Sequence, residues 1–264
     1  MKKGFALPLA ALTLLVAQAV NAAPLRIAAD PVPHAEILEY VKTLDPGLDL
    51  NITELSNGVN ANELLAAGDV DANYFQHLPY LHDQEKALGK TFAVAATVHI
   101  EPLGLYSSKV KTLAALPEGA RIAVPNNTTN LSRALLLLQQ SGLITLKGAA
   151  TSLLTPADIS ANPKKIKIVE IESPQIPRAL DDVDAAVING NYALEAGLVP
   201  AKDALALESA TNNPYANLLV TTPSLAKDPR ILRLAKDLRS PKVAAFIRQH
   251  YNGSVIPVVD EQHD

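Results

Sequence analysis

Three short runs hold the residues best suited to chemistry. In RIAVPNNTTNLSRALLLL, residues 121–138, a strand passes through a polar loop from Asn126 to Asn130 into a helix whose first turns carry Arg133. A helix N-terminus presents unpaired N–H groups and partial positive charge, which suits an anion. A guanidinium beside it adds a planar fork able to grip a carboxylate through two bonds. A surface arginine, or one committed to an internal salt bridge, fits the same pattern. In DANYFQH, residues 71–77, strand alternation sends Phe75 and His77 to one face and Tyr74 and Gln76 to the other. Phe75 and His77 could form an apolar wall with one polar edge, suited to a thioether. A core phenylalanine and a histidine bonded at a helix cap fit equally well. In DAAVINGNYA, residues 184–193, Asn189 stands at the end of an apolar strand. Its amide could hold an α-amino acid head or cap the helix that follows.

Six histidines raise the question of a metal. His77 and His82 are five apart with Pro79 between them, the wrong spacing for one helix face. His99 and Glu101 make a pair on a strand without a visible third ligand, so no metal and no cofactor are expected. Enzyme motifs are missing: there is no G-x-S-x-G, H-E-x-x-H, phosphate loop or G-x-G-x-x-G. An enzyme would have to draw its acid or base from Glu101 and His99, and a non-catalytic protein is expected. A surface adhesin gains no support beyond export.

Strand and helix signals alternate along the chain, which argues for parallel α/β sheets. Strands are expected at 25–29, 48–52, 71–75, 121–124, 166–171, 184–188 and 215–222. Helices are expected at 34–44, after Asn60, at 79–88, 131–141, before Gly197 and through 224–251. The extended stretch 92–107 is interrupted at Glu101-Pro102, and a fresh strand at Arg121 suggests two lobes. Lobe 1 is expected to comprise 23–102 and 216–264, and lobe 2 residues 103–215. A ligand would sit in the cleft, at the carboxyl ends of strands from both.

Composition fits a globular protein with no nucleic-acid partner. Of the 264 residues 48% are hydrophobic, and the net charge is -4, without the basic excess that phosphate contacts require. Lys2, Lys3, an apolar run from Phe5 to Val20 and then Val20-Asn21-Ala22 form a secretory signal pattern, with cleavage expected after Ala22. The run is broken by Pro8 and Gln18 and is short beside the roughly 20 apolar residues of a membrane span. With no cysteine anywhere, neither disulfides nor a lipid anchor on cysteine are expected.

The chain resembles the MetQ/NlpA family, the periplasmic methionine-binding components of ABC importers. The likeness runs from about Leu25 to Pro257 through PHAEILEYVK, LLAAGDVDANYFQHLPYL, TNLSRALLLLQQSGL, QIPRALDDVDAAVINGNYALEAGL and NPYANLLV. It implies a two-lobe periplasmic-binding fold of type II-like architecture that encloses methionine and delivers it to a membrane permease–ATPase complex. By motif position, Phe75 and His77 would line the side-chain pocket, Arg133 would take the carboxylate and Asn189 would hold the amino acid head. Tyr74, His99 and Tyr192 flank the same motifs. A monomer in the periplasm is expected. The sequence departs from the family at Asn57-Gly58-Val59, where an aromatic is usual, and at Asn126–Asn130, usually N-D-P-T-N. A wider pocket near Gly58 leaves room for methionine sulfoxide, a D-amino acid or another apolar amino acid.

Overall fold

Two large β-sheets divide the chain, a small two-stranded sheet accompanies the second, and the polypeptide passes between the large ones twice. A computed structural model of the protein describes residues 23–56, 59–148 and 153–258; the signal segment and the Asn57-Gly58 departure lie outside them. The chain opens with β1 (Leu25–Ala29), α1 (Glu36–Leu44), β2 (Leu50–Glu54), α2 (Ala61–Ala67), β3 (Ala72–His77), α3 (Leu78–Leu88) and β4 (Ala93–Ile100). Next come β5 (Gly104–Tyr106), β6 (Arg121–Pro125), α4 (Thr128–Gln140), β7 (Thr145–Leu146), β8 (Ile159–Ala161) and β9 (Lys167–Ile171). They are followed by α5 (Ile176–Ala179), β10 (Ala185–Ile188), α6 (Gly190–Glu195), α7 (Pro200–Asp203) and β11 (Ala206–Leu207). The chain then returns through β12 (Ala216–Thr221) to α8 (Pro229–Leu238), α9 (Pro241–Tyr251) and β13 (Ile256–Pro257).

The six-stranded sheet has the order β13-β4-β12-β3-β1-β2, and the five-stranded sheet β11-β5-β10-β6-β9. Both are mixed rather than parallel. β12 enters antiparallel between β3 and β4, and β5 runs antiparallel to β10. Local alternation cannot reveal this, because β12 comes from more than a hundred residues beyond the strands it separates. Its direction has a functional consequence: its first residues lie beside the last residues of β3 and β4, with Asn217 opposite both His77 and His99.

Helices cover both faces of each sheet, as an apolar sheet requires. One face of the larger sheet buries Leu25, Ile27 and Leu219 against Ile37, Leu38 and Val41 of α1 and against α8 and α9. The other face packs on Leu65 of α2 and Leu81 of α3. In the smaller sheet, Ile122, Val124 and Val187 meet Leu131, Ala134, Leu135 and Leu138 of α4. Those helix positions follow the i, i+3, i+4, i+7 stripe. Each fully buried Leu or Ile contributes roughly 1.5–3 kcal/mol.

The ends of the elements are set by local chemistry. The Asn60 side chain accepts from Asn62 N–H to start α2, and Gly68 ends it at φ +79°, a conformation that glycine adopts without strain. The Asn127 side chain accepts from Asn130 N–H at 3.1 Å and starts α4 at Thr128, three residues ahead of the expected helix.

Candidate functional site

Between the sheets lies a cleft of about 410 Å³, within the range of small-molecule pockets. Strand ends supply it: Asp30 follows β1, Phe75, Gln76 and His77 close β3, and Glu101 follows β4. From the other side come Asn126, Asn130 and Arg133 of the β6–α4 unit, and Asn189, Gly190 and Tyr192 after β10.

Of the residues expected at a site, Phe75, His77, Arg133, Asn189 and Tyr192 line this cleft; Tyr74 and His99 do not. Gln76, expected on the opposite face from Phe75, also lines it. The pairing of β3 with β12 slips between Leu218 and Leu219, so that Phe75 is the extra residue on its strand. Such a bulge re-aims neighbouring side chains.

Arg133 is 3% exposed and largely committed to the protein. Its Nε donates to Glu208 Oε1 at 3.0 Å, and one terminal nitrogen, Nη2, donates to Glu208 Oε2 at 2.6 Å and to the Glu101 carbonyl oxygen at 2.9 Å. The guanidinium also stands 4.2 Å from the centre of the Tyr215 ring, a favourable cation–π distance. The internal salt bridge, one of the sequence readings, is therefore present. Nη1 has no hydrogen-bond partner among the described residues. Burial would raise the Glu208 carboxyl, but the charge and hydrogen bonds of Arg133 hold it below its usual range.

The polar atoms of His77 cap and brace. Nδ1 accepts from Tyr80 N–H at 3.2 Å at the start of α3, and Nε2 donates to Asn130 Oδ1 at 3.0 Å. The ring, 5.1 Å from that of Tyr215, offers its surface to the cleft. Burial first, and then the Arg133 charge, push its pKa down to about 3. The unfolded chain, with an ordinary value of 6.5, takes up this proton first as pH falls. Neutral His77 therefore contributes its full stability above about pH 6.5 and loses it progressively toward pH 3, by at most about 1.4 kcal/mol per pH unit. Urea melts of His77→Gln should show a shallower acid slope than wild type between pH 6 and 4. Parallel curves would contradict a buried neutral imidazole.

Asn189 precedes α6 but makes no side-chain cap bond there. Its Nδ2 donates to Asn130 Oδ1 at 3.3 Å, while its Oδ1 is buried without a partner among the described residues. An orphaned acceptor in a cleft wall suits a ligand N–H donor.

Behind the cleft, Tyr74 and His99 belong to a buried polar chain. The Tyr74 hydroxyl donates to His99 Nδ1, and His99 Nε2 donates to Glu101 Oε1 at 2.7 Å. His34 Nε2 lies 3.2 Å from the same oxygen and 3.0 Å from Asn217 Oδ1. Burial lowers His99 to about 3 and His34 to about 4, so both are neutral donors. His34, which the sequence reading missed, is the third potential metal ligand beside His99 and Glu101, their ligand atoms all within 4.8 Å. Tyr74 O–H has no other acceptor among the described residues. This puts the His99 proton on Nε2, where a metal would have to bind, so the trio reads as hydrogen-bonded support.

Glu101 ties this chain to the opposite side of the cleft. Burial raises the Glu101 carboxyl, offset in part by His34, Arg133 and the nearby Asn191 backbone N–H, and a Cβ at Gly190 would stand 2.7 Å from its Cβ, so only glycine permits the approach. Asn191 Nδ2 also donates to Asp30 Oδ2 at 2.9 Å. Burial, then the Glu101 and Glu195 charges, push Asp30 well above the usual carboxylate range. Asp30, Asn191, Asn217, Glu208 and Tyr215 were not singled out in the sequence. Asn217 left one usable trace, a polar residue opening the apolar strand ANLLVT.

Comparison with known proteins agrees with this architecture. The family model described as NlpA lipoprotein matches residues 25–259. A D-methionine-binding lipoprotein MetQ of Salmonella typhi is 41% identical over 224 residues, covering 84% of this chain and 82% of its own length. A nutrient-binding protein of Burkholderia cenocepacia, solved bound to methionine, is 44% identical with a TM-score of 0.84, over 88% of this chain and 99% of that one. An ABC transporter periplasmic substrate-binding protein of Coxiella burnetii is 42% identical with a TM-score of 0.84, over 89% and 100%. The α/β fold with a cleft between two lobes is common to these neighbours. No helix among the described residues is long and apolar enough to cross a membrane. Relatives named as lipoproteins do not bear out the expectation of a protein without a lipid anchor, although the sequence itself holds no cysteine.

Proposed function

This chain belongs to the NlpA lipoprotein family, and from that premise we propose that it binds methionine, in the L form and also the D form, and passes it to an ABC importer. The observation that carries this reading is the pairing of unmet polar atoms in one cleft. Arg133 Nη1 makes no hydrogen bond within the described residues, its neighbours Nε and Nη2 making all three of the guanidinium's, and Asn189 Oδ1 is buried without a donor among them. A carboxylate and an ammonium group on one carbon answer both. Phe75, the His77 ring and Tyr192 then enclose the side chain, while Tyr74 and His99 act through Glu101 rather than by touching the ligand. The named relatives supply methionine as the amino acid.

Closure of residues 23–102 with 216–264 onto residues 103–215 accounts for tight binding. Methionine has about nine heavy atoms, and at ~1.5 kcal/mol per atom the ceiling lies near -13 kcal/mol, around nanomolar. Only nearly complete burial approaches it. A ligand that binds the closed state better shifts the open–closed equilibrium, which gives an importer a signal that cargo is aboard. The role is capture, without catalysis. Native mass spectrometry should find one methionine per chain, and denaturation should release it unchanged. Release of a converted product would favour an enzyme using the Glu101–His99 pair.

A further inference from the structure

We propose that Glu208 sets the charge of ligand that the cleft accepts: by holding Arg133 in a neutral pair, it makes the site select zwitterionic amino acids over carboxylates that lack an ammonium group. This rests on the reading that Arg133 meets the ligand carboxylate. The guanidinium already carries a carboxylate on its Nε and Nη2 side, at 3.0 and 2.6 Å. The two side chains are only 4% and 10% exposed, so water screens the pair weakly. An incoming carboxylate therefore approaches a cation whose charge is already matched.

The rest of the cleft reinforces the effect. Arg133 is the only lysine or arginine among the described residues that line the cleft, and Glu172 and Glu195 line it too. His34 and His77 are held neutral by burial. With Glu208 counted, the surroundings carry no net positive charge, and a bare anion must enter against them. An ammonium group meets the opposite field and the orphaned Asn189 Oδ1. In a closed, weakly solvated site such differences are large.

Glu208 could instead serve only to place Arg133, since Leu103 N–H also donates to Oε2 at 3.2 Å and fixes the carboxylate from behind. The two roles separate by ligand charge. Glu208→Gln keeps an acceptor for Arg133 and removes the negative charge. A purely structural defect would weaken all ligands together.

Wild type and Glu208→Gln should be titrated calorimetrically with L-methionine, 4-(methylthio)butanoate and 3-(methylthio)propylamine, which delete the ammonium and the carboxylate in turn without added bulk. In the variant, the affinity for the butanoate relative to L-methionine should rise at least about tenfold, equivalent to about 1.4 kcal/mol. A variant that binds the butanoate no better relative to L-methionine than wild type does, or not at all, overturns the proposal. If the variant fails to melt cooperatively, wild type decides: the amine should bind more tightly than the butanoate, and the reverse order overturns the proposal. A wild-type protein that ignores L-methionine itself would instead defeat the methionine reading.

Discussion

Arg133→Ala should weaken methionine binding by at least about a hundredfold, because a carboxylate left unpaired in a closed cleft costs roughly 3–5 kcal/mol. No other lysine or arginine among the described residues lines the cleft, so none of them can take over. The same substitution should also destabilise the ligand-free fold, since Glu208, whose side chain is 10% exposed, would be left without its cation. These two losses are separable. Replacing both partners by apolar residues, Arg133→Met with Glu208→Leu, should restore much of the stability, as swaps of buried ion pairs often do, while binding stays lost. Titration calorimetry and urea melts on the three proteins read the two effects independently. Near-normal affinity in Arg133→Ala would remove Arg133 from the ligand contact.

The second large effect is expected at Glu101, on stability. In Glu101→Ala the ring N–H of His99 loses its acceptor, and His34 keeps only Asn217. His34 and His99 are 1% and 0% exposed, so water cannot substitute. A buried donor left unmet costs about 1–3 kcal/mol, giving a loss of about 2 kcal/mol or more. For a chain of this size, that lowers Tm by roughly 4–8 °C. An unchanged Tm would mean that the carboxylate does not anchor this chain of side chains.

Much of this architecture was legible in the sequence because it is local. The ends of β1, β6 and β10 follow from apolar runs that stop at polar or turn residues. Gly68 and Gly89 mark the ends of α2 and α3, at φ +79° and +61°. What escaped the sequence depends on distant partners. Nothing near Arg133 announces Glu208, 75 residues later. The bulge that brings Gln76 to the cleft is set by pairing with β12. That strand also makes the sheet mixed and carries Asn217 to the cleft. His34 joins His99 and Glu101 only once the short helical turn between β1 and α1, residues Pro31–Ala35, packs against the sheet. Even the resemblance, which pointed to Arg133, Phe75, His77 and Asn189, gave no sign that most of the guanidinium is already engaged.

The most direct test of the central claim is to unfold and refold the purified protein so that any carried ligand is removed, then titrate it calorimetrically with L- and D-methionine. The account predicts one site per chain and micromolar or tighter affinity, lost in Arg133→Ala. Absence of heat with both enantiomers, from protein that has refolded cooperatively, would contradict it.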